Sequence, residues 1–296
     1  MNWMRYRLIY FLISAVVIGA GIFGLAKWGL AFGVDFKGGS IAEYKFENAV
    51  SEEGVLPEIE KLGVQITSVQ KTSEKSYLFR LPPIDPKQKE DIGKTLEDFS
   101  GGKVEELRFE NVGPSIGPEL IKKTLYAIAI AASGILLWVS LQFKSFKFGT
   151  SAVLAMLHDS MVLIGSWALL GHFAGAEIDF LFVTAMLTIL SFSVHDTIVV
   201  YDRVRETRRR VGGSTRDTAN MAISQTMVRS LNNSFTIIFM LIALILLGGS
   251  TIKWFAVALF IGTVSGTYSS PFVAVPILVT WDEIEKRVKE KRLLKK

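Results

Sequence analysis

Six long, nearly uncharged runs, with one charged block between the first two, constrain this chain more than anything else in it. The runs cover residues 8–26, 124–143, 148–170, 178–201, 235–247 and 254–281. A helix needs roughly 20 apolar residues to cross the hydrocarbon of a bilayer. A soluble domain of 296 residues would mix apolar and polar positions more evenly, and here half of all residues are hydrophobic and segregated. The expected fold class is an α-helical polytopic membrane protein with six transmembrane helices and one water-exposed insert. A cleaved signal peptide is the alternative reading of residues 8–26. Its apolar core would span roughly 7–15 residues, and this run is longer, so a retained first helix is expected.

The insert, residues 33–118, reads as an α+β domain. Residues 41–46 alternate like a strand, and 51–62 place Val55, Ile59 and Leu62 on one helical face. Residues 64–69 and 77–81 read as strands. Residues 86–99 read as a helix stopped by Gly101 and Gly102, and 104–109 as a last strand. The order β-α-β-β-α-β is the split βαβ pattern. The expected organisation is therefore 1–32 for the N-terminus and first helix, 33–118 for the insert, 119–281 for the remaining bundle and 282–296 for a basic tail.

Lys and Arg collect at the N-terminus, in the link at residues 144–147, after Tyr201 and in the tail, whereas residues 171–177 have none. By the positive-inside rule both termini face the cytoplasm and the insert lies outside, in a periplasm where the cell has one. The net charge of +5 follows from this distribution and does not indicate nucleic acid. The chain has no cysteine, which excludes disulfides and thiolate chemistry. Its histidines (His158, His172 and His195) are too scattered for a metal site, and no cofactor is expected.

Ionisable groups inside the apolar runs mark a functional site. Asp196 lies about 18 residues from the outer end of the fourth run, or roughly 27 Å along a helix. Residues 235–249 alone are too short to cross, so the fifth helix must extend back through Arg229. That puts Arg229 about 19 residues from its outer end, or roughly 28 Å. The two helices are antiparallel neighbours, so an Arg–carboxylate contact is available, and a small movement of Arg229 could switch Asp196 between holding and releasing a proton. Thr197, Ser230, Asn232 and Asn233 are candidates to complete the hydrogen bonds. A static ion pair fixing helix register is the alternative. Asp159, roughly 18 Å deep, is a second candidate, and His195, about 100° round the helix from Asp196, a weaker one. Asp202 and Arg203 are expected to end the fourth helix. Gly262, Gly266, Pro271 and Pro276 would permit a kink in the sixth.

Several motifs identify a family. Gly33-Val34-Asp35-Phe36-Lys37-Gly38-Gly39 is similar to the G-[IV]-D-F-x-G-G signature of the SecF family, and residues 112–120 resemble its V-G-P-x-[IV]-G-x-E-L. His158-Asp159 resembles the family's H-D, and residues 196–206 its D-T-[IV]-V-[IV]-[FY]-D-R-[IV]-R-E. Departures are His195, where the family usually has asparagine, and Ser230, Asn232 and Asn233, where it is threonine-rich. The resemblance implies a half-transporter of the resistance-nodulation-division type, paired with SecD to give twelve helices. It implies that the pair draws on the proton-motive force to help move an unfolded polypeptide out of the SecYEG translocon, with YajC as a further partner. It assigns the proton site to Asp196 and Arg229. Partners are thus SecD, SecYEG, the translocating chain and protons, with no nucleic acid. A small-molecule efflux half-transporter is the runner-up, against which the small insert speaks. An intramembrane hydrolase is a third reading, which lacks a nucleophile and a metal motif.

Overall fold

A computed structural model of the chain describes residues 1–113 and 116–293. The described residues divide into two compact units, Met1–Ala31 with Tyr126–Ala176 and Leu181–Lys296, and Phe32–Leu125 with Glu177–Phe180.

In chain order the elements are a 3₁₀ turn (Trp3–Tyr6), α1 (Arg7–Trp28), α2 (Val34–Lys37), β1 (Gly39–Phe46), α3 (Glu52–Glu60), β2 (Ser68–Ser73), β3 (Ser76–Leu81), α4 (Pro86–Ser100), β4 (Val104–Val112), α5 (Ile116–Phe143), α6 (Phe146–Ala174), α7 (Phe180–Val211), α8 (Thr215–Leu247), α9 (Ser250–Ser269), a π-helical segment (Ser270–Ala274) and α10 (Val275–Leu293). Among the described residues, six helices are long and apolar enough to cross a membrane.

The smaller unit is a four-stranded antiparallel sheet in the order β2-β3-β1-β4 with α3 and α4 packed on it. This is the split βαβ arrangement the pattern predicts. Alternation along β1 and β3 delivers Tyr44, Phe46, Tyr77, Phe79 and Leu81 to the core, where Val55, Ile59, Ile92 and Leu96 of the helices meet them. α4 starts at a capping box in which Asp85 accepts from the Gln88 N–H and Gln88 accepts from the Asp85 N–H, and it stops at left-handed Gly101. The expected strand at 64–69 is displaced to Ser68–Ser73. Val64 is buried under the helices before the strand begins, so its apolar character reports core and not pairing. Of the 112–120 signature, Pro114 and Ser115 lie outside the described residues.

In the larger unit α6 and α7 form the middle, with half or more of their apolar windows buried, while α1, α5 and α8 bury under a fifth. α1 crosses α6 where Gly21 faces Gly165. A Cβ on Gly21 would lie 2.7 Å from the Gly165 Cα, so only glycine permits this approach. The 3₁₀ turn packs Met4 into the core, with Trp3 donating to Ser224 and the Met4 N–H to Asn220 of α8.

One expectation about helix ends fails: α7 continues past Asp202 and Arg203 to Val211. α8 runs back through Arg229 as expected, and begins further upstream, at Thr215. Of the arginines after Tyr201, three gain i,i+3 or i,i+4 acidic partners that support the helix. Arg205 pairs with Asp202 at 2.7 Å, Arg203 with Glu206 at 2.5 Å and Arg210 with Glu206 at 2.7 Å. At 32 and 33 residues, α7 and α8 are roughly 48–50 Å long, well beyond a hydrocarbon core of about 30 Å. The basic tail is likewise the continuation of α10. Asp282 on α10 accepts from Thr215 of α8 and Lys147 of α6, Glu285 pairs with Lys147, and Glu283 pairs with Arg7.

Candidate functional site

Asp159 is the most completely enclosed carboxylate in the bundle. It sits in the middle of α6 with no exposed surface. Its Oδ1 accepts from Ser265 at 2.5 Å and faces His158 Nδ1 at 3.1 Å, and its Oδ2 accepts from Ser193 at 2.5 Å and Ser269 at 2.6 Å. These groups come from α6, α7 and α9. Gly266, next to Ser265 and one turn before Ser269, lets α9 approach α7 closely: a Cβ there would meet Ser193 at 3.2 Å. The opposite face of the His158 ring reaches Ser14 of α1, Nε2 to Oγ 3.0 Å. A buried carboxylate with this many donors is stable only as a hub to which every neighbour is committed.

Asp196 has a different environment. It is buried on α7, one turn below Ser193, and its Oδ2 has no hydrogen-bond partner. Arg229 and His195 act on it at longer range. The predicted seam between α7 and α8 therefore brings Arg229 within electrostatic reach, yet no ion pair joins the two among the described residues. Arg229, His195, Asn232 and Asn233 are exposed on the outer surface of the bundle, and Ser230 is buried. None of the described hydrogen bonds runs from Ser230, Asn232 or Asn233 to Asp196. Thr197, expected beside Asp196, turns the other way: its hydroxyl contacts Ser270 at 3.0 Å and the Ser193 carbonyl at 3.0 Å.

Thr197 thereby grips the π-helical segment. Pro271 cannot donate a backbone N–H, so the α9 ladder opens there, and the Val275 N–H closes a wide turn on the Ser270 carbonyl. Ser270 Oγ caps the Gly266 carbonyl at 3.1 Å. Tyr201, fully buried on α7, donates to the Ala274 carbonyl at 3.2 Å and shares a hydrogen bond with Ser151 at 2.6 Å. The kink expected from the prolines is thus a fixed π turn, bonded to α7 from Ser193 to Tyr201.

The signature after the first helix is a structural device of the smaller unit. Gly38 and Gly39 have φ of 76° and 132°, and a Cβ on Gly39 would lie 2.8 Å from the Leu81 carbonyl oxygen, so the turn into β1 requires glycine at both. Asp35 Oδ2 accepts from the Phe180 N–H at 2.8 Å, and the Gly33 N–H donates to Ile178 at 2.8 Å. Phe36 is buried, and its carbonyl lies against Gly117. Arg80 pairs with Glu177 at 2.8 Å. Sequence reasoning did not foresee that this motif holds the segment Glu177–Phe180. Ser14 and Ser265 were also missed; their only signal is that each is a serine in an otherwise apolar run.

Comparison with known proteins agrees with this architecture. Residues 91–284 match the family model "Protein export membrane protein SecD/SecF, C-terminal", and residues 24–50 match "SecD/SecF GG Motif". The chain is 42% identical to the protein translocase subunit SecF of Thermobaculum terrenum, over 94% of this chain and 93% of that one. It is 32% identical to the translocase subunit SecDF of Bacillus subtilis, over 93% of this chain and 37% of that protein. The crystal structure of SecDF from Thermus thermophilus, described as a translocon-associated membrane protein, superposes with a TM-score of 0.82 at 28% identity. It covers 96% of this chain and 39% of that one. The chain therefore spans about two-fifths of the fused SecDF proteins and nearly all of the separate SecF subunits. It belongs to the SecD/SecF family of protein-export membrane proteins, as a multi-pass, non-enzymatic SecF subunit of the protein translocase.

Proposed function

We propose that this subunit couples proton movement to late steps of protein export, with Asp196 as the proton-carrying carboxylate and Arg229 as its switching partner. The observation that carries this reading is the buried Asp196 Oδ2 without a hydrogen-bond partner. Such an oxygen is stable only with a proton on the carboxyl or with a cation brought to it. Arg229, exposed and in no ion pair among the described residues, is with His195 a cation within electrostatic reach. Each proton crossing 100 mV releases about 2.3 kcal/mol. That equals roughly one charge-assisted hydrogen bond, at about 1.5–3 kcal/mol, so the coupled movement starts at a single contact and not by parting whole helices.

The polar face formed by His195, Arg229, Asn232 and Asn233 is expensive against lipid. The SecD subunit, a partner to which fused SecDF relatives already point, covers that face in this reading and completes a twelve-helix bundle. Both termini and the arginine-rich end of α7 face the cytoplasm, which places the smaller unit on the export side, where the unfolded chain leaves SecYEG (with YajC as an accessory). Asp159 serves as an inner carboxylate of the same relay, and His195 lines its outer edge.

The test is Asp196→Asn in the SecD-paired complex. The variant should insert and assemble normally yet lose proton-dependent stimulation of export. Normal export together with normal proton uptake would refute the assignment. The exchange Asp196→Arg with Arg229→Asp should not restore activity; full activity in the exchange would favour a static ion pair.

A further inference from the structure

We infer that His158 loads Asp159 with a proton and unloads it, and that the charge on Asp159 decides whether α9 is held at its π turn. The inference rests on the proton-coupled reading above. An ionised carboxylate offers about four acceptor sites and no donor. Asp159 has these sites filled by Ser193, Ser265, Ser269 and His158. Two of the donors, Ser265 and Ser269, belong to α9, and Ser269 immediately precedes the π-helical segment.

His158 is built to change that state without leaving a charge behind. With Asp159 ionised, the ring is neutral: its Nδ1–H donates to Asp159 at 3.1 Å and its Nε2 accepts from the Ser14 hydroxyl at 3.0 Å. When Ser14 passes its proton to Nε2, the Nδ1 proton moves to Asp159. Ser14 takes its replacement proton in the same step from a hydronium ion arriving from the low-pH side, which leaves as neutral water. The carboxylate becomes a neutral acid, and the imidazole ends in its other neutral tautomer. The reverse sequence discharges it. The supply side is a cavity of about 320 Å³ between α1, α6 and α9, lined by Ser14, His158, Ser265 and Tyr268 among apolar residues; a water bonded to these polar groups would bring the proton in. Its walls are apolar (Ile13, Val162, Phe260), and its polar groups converge on Ser14, His158 and Ser265. Among titratable neighbours, Tyr268 of α9 lies against the His158 ring at 6.2 Å and donates to the Tyr10 carbonyl of α1, while α7 carries His195 and Asp196 beyond Ser193. No Lys or Arg pairs with Asp159 among the described residues.

Once neutral, Asp159 must donate its own O–H. That O–H goes to the now unprotonated Nδ1 of His158, so the three serine donors keep their acceptors, but their bonds become neutral ones of about half the strength. The π turn already lacks the Pro271 N–H, so α9 yields there first.

The experiment uses the full chain with a cysteine-free SecD in proteoliposomes. The chain has no cysteine of its own, so Val211→Cys and Ile284→Cys, both exposed, place spin labels on α7 and α10. The inter-label distance should change between the ionised and the protonated form of Asp159 as the pH is lowered. Asp159→Asn, a neutral mimic, should hold the low-pH distance at every pH, and Ser265→Ala with Ser269→Ala should do the same without touching the carboxyl. His158→Gln keeps a hydrogen bond toward Ser14 but cannot relay a proton, and it should slow proton uptake by about 100-fold. A pH-invariant distance shared by the wild type and Asp159→Asn would overturn the inference, as would wild-type proton uptake in His158→Gln. Asp196→Asn separates the two readings. It should abolish proton-driven export and keep the distance response, whereas normal export in that variant refutes the proton site and leaves the α9 response to stand or fall on the labels.

Discussion

Replacing Tyr44 by Phe should stabilise the smaller unit, the opposite of what trimming a buried core side chain usually does. Tyr44 sits on the central strand β1, buried against Phe79, and its hydroxyl has no hydrogen-bond partner. A buried hydroxyl without a partner costs about 1–3 kcal/mol, and phenylalanine removes it while keeping the ring. A gain of about 1–2 kcal/mol is expected at pH 8. Alkaline pH supplies an independent check. Burial, helped by the nearby Glu106 carboxylate, pushes the Tyr44 phenol up to about 12 from its usual value near 10. The folded state thus disfavours the phenolate. The stability tied to the neutral phenol is fully present below pH 10 and is lost as the pH rises toward 12, at about 1.4 kcal/mol per unit. Near pH 11 the advantage of Tyr44→Phe should therefore widen by about 1.4 kcal/mol. Urea unfolding of a fragment of residues 32–113, followed by far-ultraviolet circular dichroism at pH 8 and pH 11, reads both effects. The expected shift in midpoint is roughly 1 M for a domain of this size. A variant less stable than the parent at pH 8, or a gap that does not grow with pH, would refute the reasoning.

Two further outcomes concern the bundle. Gly165→Leu puts a Cβ about 2.6 Å from the Gly21 Cα, so α1 and α6 must part; overpacking of this kind costs about 1–3 kcal/mol, and the melting temperature in detergent should drop by roughly 2–10 °C. Unchanged melting would mean that α1 does not pack on α6 at this point. Tyr201→Phe strips the hydroxyl that joins Ser151 to the Ala274 carbonyl and should cost about 1–3 kcal/mol by leaving a buried carbonyl unpaired, measured by the same melt; a loss below about 0.5 kcal/mol would show that the π turn relaxes onto another donor.

The helices and the split βαβ insert were legible because each rests on a long periodic or apolar pattern that one sequence carries by itself. The ends of α7 and α8 were not, since a run of arginines looks like a loop until Asp202 and Glu206 are seen to neutralise it at helical spacing. The candidate site divides the same way. Asp159 and Asp196 stand out as charges in apolar runs, but their unequal environments depend on residues far apart in sequence. Ser265 and Ser269 reach Asp159 from more than a hundred positions away, and only the close approach of α9 at Gly266 brings them there. Depth counting placed Arg229 level with Asp196 but could not tell which way its side chain turns round α8. The Asp35 contact with Phe180 was hidden for the same reason: 145 positions separate them.

The sheet order leaves β2 and β4 as open edges, and their composition limits what can pair with them. An unpaired edge is a template for any extended segment that drifts against it. β4 carries Glu105, Glu106, Arg108 and Glu110, and β2 is the polar run Ser-Val-Gln-Lys-Thr-Ser. Charge along β4 and the polar side chains of β2 make annexation of a passing strand unfavourable. The sheet is thereby protected from seeding aggregation and from being captured by extended segments of other chains.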